Sequence, residues 1–276
     1  MNLAAALAMT MRTDLGRCRP RNEDTVFADA AIGFAVLADG MGGSRAGEVA
    51  SSMACALLAE GFTRFLSASD EDEDTDAGDG DPGLLRQHVI NQVKAANQAI
   101  FDAARRDLRY AGMGSTVVLA WFYDNRVIVA HVGDSRLYRL RNNHFEQLTR
   151  DHSVLQELLD RGMISPEEAR FSDARNLLTR ALGGGAGVNV EAHIHDVQPG
   201  DLLLQCSDGL SEMVEDDEIK GVLQMMGSNL ELAAEQLVRL ANDYGGRDNI
   251  SVILTRVLGD YAAPRGLWQR LRAATE

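Results

Sequence analysis

Residues 115–148 read STVVLAWFYDNRVIVAHVGDSRLYRLRNNHFEQL, four strand-like runs cut by three short polar breaks. Ser115 to Tyr123, Arg126 to Val132, Arg136 to Leu140 and Phe145 to Leu148 are rich in β-branched and aromatic residues. Asp124 Asn125, Gly133 to Ser135, and Arg141 to His144 have turn chemistry. Breaks this short require antiparallel neighbours, because a parallel return needs a crossover of a dozen or more residues. A doubly wound nucleotide-binding sheet is thereby excluded, and the fold class is expected to be α+β.

Upstream, Met9 to Asp14, Thr25 to Phe27 and Phe34 to Ala38 read as strands. The break Asp29 to Gly33 is short enough for a hairpin, which would bring Asp24 and Asp39 to the same end of the pair. From Arg45 to Phe65 apolar residues recur at helical spacing, and Leu84 to Leu108 repeats the pattern with Leu85, Val89, Val93, Ala96 and Ile100 on one face. Downstream, Val190 to Val197, Leu202 to Cys206 and Ile250 to Arg256 are further strands, and Asp216 to Met226 and Leu230 to Tyr244 further helices. With 276 residues, one domain over 1–260 is expected. It carries an acidic, disordered insertion at 67–83, a polar flap region at 149–185 lying over a site rather than in the core, and a C-terminal tail at 261–276.

The net charge of −14 and pI near 4.8 speak against a nucleic-acid partner, which needs clustered Lys and Arg. Eight of the acidic residues fall between Asp70 and Asp81, so without them the charge is −6. A calcium loop does not fit there. An EF-hand register from Asp70 puts Thr75 at the glycine position and Asp81 where a bidentate Glu belongs, and one from Asp72 puts Ala77 and Gly83 there. Cys18, Cys55 and Cys206 have neither disulfide nor zinc spacing, which suits a reducing, cytoplasmic compartment. No membrane span is expected.

The remaining acids repeat one arrangement, an aspartate at a strand end beside Gly or Asn. It occurs at Asp39 Gly40 Met41 Gly42 Gly43, at Val132 Gly133 Asp134 Ser135, at Cys206 Ser207 Asp208 Gly209, and at Arg247 Asp248 Asn249. Any single Asp-Gly is usually a turn. Four of them, converging without matching Lys, would repel unless cations held them, and an all-oxygen ligand set selects Mg²⁺ or Mn²⁺. Arg19 Pro20 Arg21 Asn22 Glu23 Asp24 adds a forked donor suited to phosphate beside two more carboxylates.

In order along residues 10–257, these motifs resemble those of the metal-dependent Ser/Thr protein phosphatases, the protein phosphatase 2C-like family, in its bacterial form. The matching positions are Arg19 with Asn22 Glu23 Asp24, Ala38 to Gly43 with Gly47 Glu48 and Ala50, Gly114 Ser115 Thr116, Val132 to Arg136, Cys206 to Leu210, and Asp248 Asn249. The resemblance implies a four-layer α/β/β/α sandwich of two packed antiparallel sheets. It implies a binuclear Mn²⁺ or Mg²⁺ centre in which Asp39 bridges two ions, the Gly40 carbonyl ligates one, and Asp208 and Asp248 complete the set. Asp134 with Asp208 would hold a third, weaker ion, and Asp24 and Glu23 would support the water around the metals. Arg19 would hold the phosphate, and Ser207 and Asn249 would orient the ligands. Met41 stands where eukaryotic relatives often carry a His proposed as general acid, and Met has no proton to give. His152 is a candidate substitute, weighed against a structural role for it and for His131.

The expected activity is hydrolysis of phosphoserine and phosphothreonine in phosphorylated proteins, opposing a Ser/Thr kinase in signalling. The alternative is a catalytically silent phosphoprotein-binding module of the same fold. A nucleotide hydrolase is disfavoured because no glycine loop followed by Lys and Ser or Thr occurs.

Overall fold

The computed structural model describes residues 3–42, 46–71, 82–169 and 177–262. Its order is β1 (Leu7–Asp14), β2 (Asp24–Asp29), β3 (Phe34–Met41), α1 (Ala46–Glu71), α2 (Pro82–Arg106), β4 (Gly114–Ser115), β5 (Val117–Tyr123), β6 (Arg126–Val132), β7 (Arg136–Arg141) and β8 (His144–Gln147). Then come α3 (Val154–Asp160), α4 (Pro166–Ala169), β9 (Glu191–Asp196), β10 (Leu202–Cys206), α5 (Asp208–Ser211), α6 (Asp216–Met226), α7 (Leu230–Asp243) and β11 (Ile250–Val257).

Two antiparallel sheets form, β1-β11-β10-β7-β8 and β2-β3-β5-β6-β9, with β4 on β3. Period-2 alternation explains how they stack. Along β3, Phe34, Val36 and Ala38 pack on α1 and α2, while Ala35 and Leu37 face the other sheet. Along β10 and β11, Leu202, Leu204, Val252 and Leu254 pack against α6 and α7, whereas Leu203 and Ile253 meet Ala35, Leu37 and Val118 between the sheets. Both faces of the central strands are covered, which is why β5 is buried along its whole length. The layers run helix, sheet, sheet, helix, the sandwich that the resemblance implied.

The turns decide where the strand ends go. Asp124 and Asn125 adopt left-handed backbone at φ 43° and 54°, the primed-turn geometry that closes a two-residue hairpin between β5 and β6. Asn142 and Asn143 do the same between β7 and β8. The break Gly133–Ser135 is different. Read as a third hairpin, it instead carries the chain from one sheet to the other, since β6 pairs with β5 and β9 while β7 pairs with β8 and β10.

Two further expectations need correction, and one is qualified. Helix α1 continues to Glu71, so the acidic insertion does not begin at Ser67; residues 72–81 lie outside the described residues, as do Gly43 and 263–276 of the tail. Ala46–Ser67 is long and apolar enough to cross a membrane, but Ala50, Ala54, Leu58, Phe62 and Phe65 are buried in the core. The flap region is not wholly peripheral either: Thr149, His152, Ser153 and Leu182 are buried, the bridge from Ser115 to Leu182 ties it to the body, and the bridge from Ser153 to Leu178 joins its own two ends.

Candidate metal centre

Asp24 and Asp39 are direct cross-strand partners in the β2–β3 ladder. They sit within the strands rather than just beyond them, and they share the end that the hairpin predicted. Antiparallel pairing of β10 with β11 brings Asp208, two residues past β10, near Asp248, two residues before β11. The sheet-crossing turn after β6 delivers Asp134 to the same edge of the sandwich. Among the residues lining one cavity of about 220 Å³ are Arg19, Glu23, Asp39, Gly40, Asp134, Asp208, Asp248 and Asn249, together with Met41 and Leu178. Asp24 and Ser207 lie behind it, Ser207 Oγ donating to Asp24 Oδ2 at 2.9 Å. Of the site residues named from the sequence, Arg19, Glu23, Asp39, Gly40, Asp134, Asp208, Asp248 and Asn249 are at the cavity and Asp24 and Ser207 are in contact with residues that are, while His152 is not.

Close backbone approach explains the glycines. A Cβ on Gly40 would stand 2.1 Å from the Gly47 carbonyl oxygen and 2.7 Å from that of Glu23. One on Gly209 would stand 1.9 Å from the Asn249 carbonyl oxygen, so α5 can begin only against that strand entrance.

Asn249 is the clasp of the site. Its Oδ1 accepts from the Glu23 backbone N–H at 2.8 Å, and its Nδ2 donates to the carbonyls of Leu15 and Arg21 at 2.9 and 2.8 Å. The loop bearing Arg19 is thus tied to β11. Sequence reasoning assigned no task to Gly114 Ser115 Thr116, and the structure gives one. Thr116 Oγ1 accepts from the Asp39 N–H at 3.1 Å, Ser115 Oγ donates to the Asp39 carbonyl at 2.9 Å, and Thr116 Oγ1 meets Ser135 Oγ at 2.7 Å. These hydroxyls lock the backbone on both sides of the Asp39 carboxylate. Nothing in a Gly-Ser-Thr triplet says so locally; the signal lies in the pairing of β4 with β3.

The electrostatics are those of carboxylates awaiting cations. Burial, reinforced by Asp24, Asp208 and Asp134, pushes the Asp39 pKa well above the ordinary carboxylate value, and burial with Asp134 and Asp248 does the same to Asp208. Burial raises Asp24 to about 6 and Asp134 to about 7. Asp24 Oδ1 and Asp208 Oδ1 are buried with no hydrogen-bond partner among the described residues. Arg19, whose Nη2 donates to Asp248 Oδ2 at 2.5 Å, is the only cationic residue among the described residues lining the cavity. Orphaned oxygens, mutual repulsion and an all-oxygen donor set fit hard divalent ions.

A second group, His131, His152 and Glu191, brings one potential ligand atom from each residue within 4.8 Å of the others. Its hydrogen bonds oppose a metal. The Gly133 N–H points at His152 Nδ1 at 3.1 Å, so the neutral ring carries its proton on Nε2, toward Glu191 Oε2 at 3.2 Å. Arg180 Nη1 lies 3.1 Å from that same Nε2, and His131 Nε2 donates to the Arg150 carbonyl at 2.8 Å. The two rings stack at 4.6 Å and staple β6 to the segment after β8. His152 does not line the cavity, so its structural role is the one its contacts support.

The family model for protein phosphatase 2C matches residues 20–242. A serine/threonine phosphatase, stp, of Listeria welshimeri is 39% identical over 246 residues, 88% of this chain and 93% of that protein. A crystal structure of the Mycobacterium tuberculosis serine/threonine phosphatase PstP/Ppp superposes with a TM-score of 0.80 at 37% identity, covering 92% of this chain and 99% of that one. The catalytic domain of PstP, solved in complex with two manganese ions, superposes with a TM-score of 0.76 at 36% identity, again covering 92% of this chain and 99% of that one.

Proposed function

The chain belongs to the protein phosphatase 2C family, and from that premise we propose that its carboxylate-lined cavity is the divalent-metal centre at which phosphoserine and phosphothreonine are hydrolysed. The protein is a serine/threonine phosphatase that depends on Mn²⁺ or Mg²⁺. The observation that carries the residue assignment is the convergence of Asp39, Asp134, Asp208 and Asp248 from four remote segments on one cavity, with Arg19 as their cationic neighbour there.

Asp39, Asp208, Asp248 and the Gly40 carbonyl would hold two ions, Asp134 with Asp208 a third, and Asp24 would stand behind Asp39. When bound, the ions supply Lewis acidity at the phosphoryl oxygens and a hydrolytic nucleophile drawn from solvent near neutral pH. Arg19 offers two parallel N–H donors to phosphate oxygens, and its bond to Asp248 holds that fork at the cavity mouth. Its charge opposes the negative charge that the phosphoryl group keeps through the transition state. Glu23, on the cavity wall, would accept hydrogen bonds from water there, with Asp24 behind in support, while Ser207 and Asn249 fix the direction of Asp24 and of the Glu23 backbone.

No covalent intermediate is required of the chain. Burial holds the Cys55 and Cys206 thiols up at about 12, and Met41, on the cavity wall, donates no proton. Water in the cavity is left to protonate the leaving alkoxide.

Residues 1–260 act as one catalytic unit, since Arg19 and Asp248 meet from opposite ends of the chain. The biological partners are phosphorylated proteins and the Ser/Thr kinase that modifies them, a signalling role in the cytoplasm. A silent binding module would have no use for the complete ligand set.

The test is release of phosphate from a small aryl phosphate. Turnover is expected to require Mn²⁺, to stop with chelator, and to fall by about 10³-fold or more in Asp208→Asn, the scale of losing a principal electrostatic contributor. Undiminished turnover after either treatment rejects the assignment.

A further inference from the structure

Asp134, the carboxylate assigned above to the third ion with Asp208, stands on the turn that crosses between the sheets, and one side chain outside the cavity grips that turn. Resting on the phosphatase reading above, we propose that His152 is a positioning residue, which fixes the backbone entering Asp134 and so holds that carboxylate in the direction the third ion needs.

The grip is made at Gly133, from both of its sides. The Gly133 N–H donates to His152 Nδ1 at 3.1 Å, and the His152 N–H donates to the Gly133 carbonyl at 2.9 Å. Each bond fixes a different peptide plane. The N–H belongs to the unit between Val132 and Gly133, and the carbonyl to the unit that enters Asp134. With both planes held, the two soft dihedrals just before the aspartate are held as well. Gly133 needs that hold. It sits at φ 108°, and glycine left free has the widest choice of conformations. A side chain cannot stiffen the position instead, since a Cβ there would stand 2.7 Å from both Cβ and Cγ2 of Thr116.

The residue after Asp134 is secured too. Ser135 Oγ meets Thr116 Oγ1 at 2.7 Å, and that same oxygen accepts from the Asp39 N–H at 3.1 Å. Asp134 is therefore set between two fixed neighbours, one referred to Asp39 and the other to His152.

His152 is itself held for the task. It is 6% exposed, its ring stacks on His131 at 4.6 Å, and its carbonyl accepts from the Thr179 N–H at 2.8 Å. Its Nε2 faces Glu191 Oε2 at 3.2 Å. A proton kept on Nε2 leaves the lone pair on Nδ1, the form that the Gly133 N–H requires, so Glu191 selects the tautomer. Outer partners of metal ligands act in this way. They never touch the ion, yet losing one weakens its binding by about 10- to 100-fold.

The experiment counts Mn²⁺ bound to the full chain, read from the electron paramagnetic resonance signal of the free ion, in wild type, His152→Asn and His152→Gln. Turnover of an aryl phosphate by the wild type is the control. Both variants lose the ring and its stack on His131, so they share any structural cost. They differ in the acceptor: Asn can place an amide oxygen where Nδ1 stands, whereas Gln reaches toward the place of Nε2. His152→Gln is expected to weaken the loosest class of bound Mn²⁺ by about tenfold, and His152→Asn to recover most of that loss, with the two tighter ions unchanged in both. A histidine that only supports the fold predicts equal losses in the two variants. That result overturns the proposal, as does a loosest ion unaltered in both. If neither variant folds, Glu191→Ala keeps the histidine and frees its Nε2; the loosest ion should then bind more weakly than in wild type, and an unaltered affinity is fatal. Wild type that holds two ions and turns over the aryl phosphate with no looser ion overturns this proposal alone. Wild type that binds no Mn²⁺ and releases no phosphate strikes the phosphatase reading, and the proposal with it.

Discussion

Two buried aspartates in the same sandwich are treated in opposite ways. Asp201, 1% exposed, has its carboxylate fully matched: Arg141 Nε donates to Oδ1 at 2.7 Å, Arg141 Nη2 to Oδ2 at 2.5 Å, and the Gln198 N–H to Oδ2 at 2.9 Å. Asp208 keeps an oxygen with no partner among the described residues and stands among Asp134, Asp248 and Glu212. The chain can build a matched pair and does so beside β10; at the other end of that strand it leaves the charge open. A buried charge without its partner is strongly unfavourable, so the open one marks a place where the counter-charge comes from outside the chain.

The contrast breaks most sharply under paired substitutions. Asp201→Asn removes the charge that compensates Arg141 and should lower the unfolding free energy by about 3–5 kcal/mol, the range for breaking a buried pair. Asp208→Asn, in metal-free protein, relieves repulsion and should raise it by about 1–3 kcal/mol while removing turnover. Denaturant titration after chelation reads both. Loss of stability in both variants would mean that Asp208 is an ordinary structural carboxylate.

A pH series sharpens the same point. Asp24 titrates at about 6 and Asp134 at about 7 in the folded protein, against about 3.9 when unfolded. Between pH ~4 and ~7 the folded state therefore keeps protons that the unfolded state has released. Their effect is absent below pH ~4 and grows as pH rises, so metal-free protein should lose stability through this window, by about 3 kcal/mol for a two-unit shift such as that of Asp24. Mn²⁺ should reverse the slope, since protons and cations compete for the same oxygens and ligand binding stabilises the folded state. Thermal melts at several pH values with and without metal provide the check; parallel profiles would remove the electrostatic basis of the centre.

The convergence of the cavity's aspartates was legible in the sequence because each stands at or beside a strand end, and short connections fix which ends lie together. The Asp24–Asp39 pair followed from one hairpin. The turn at Gly133–Ser135 misled for a definite reason. With β5 and β6 buried on both faces, alternation does not reveal which face a strand turns to the second sheet, and a three-residue turn does not reveal whether the next strand remains in the same sheet. A second and larger cavity, of about 560 Å³, adjoins the metal centre, shares Asp134 and Asp208 with it, and was illegible for a related reason. Its acids are scattered through Asp151 and Glu212 to Asp216 in turns and helix starts, where acidic residues are common, and only tertiary packing gathers them around one space.

The smallest test concerns the matched side alone. Tyr138, fully buried, accepts from Arg136 Nη1 at 2.9 Å and donates to Asp216 at 3.1 Å, and its ring stacks on Phe145 at 4.9 Å. Tyr138→Phe keeps the ring and deletes one acceptor and one donor. Arg136 retains Asp151 through two nitrogens, and Asp216 still faces the larger cavity, where water can replace the hydroxyl. Redundancy of this kind holds the cost to about 0.5–1.5 kcal/mol, with aryl phosphate turnover unchanged. A loss well beyond that range would mean that Arg136 is held by the hydroxyl as much as by Asp151, and the matched side of the molecule would then be as finely balanced as the open one.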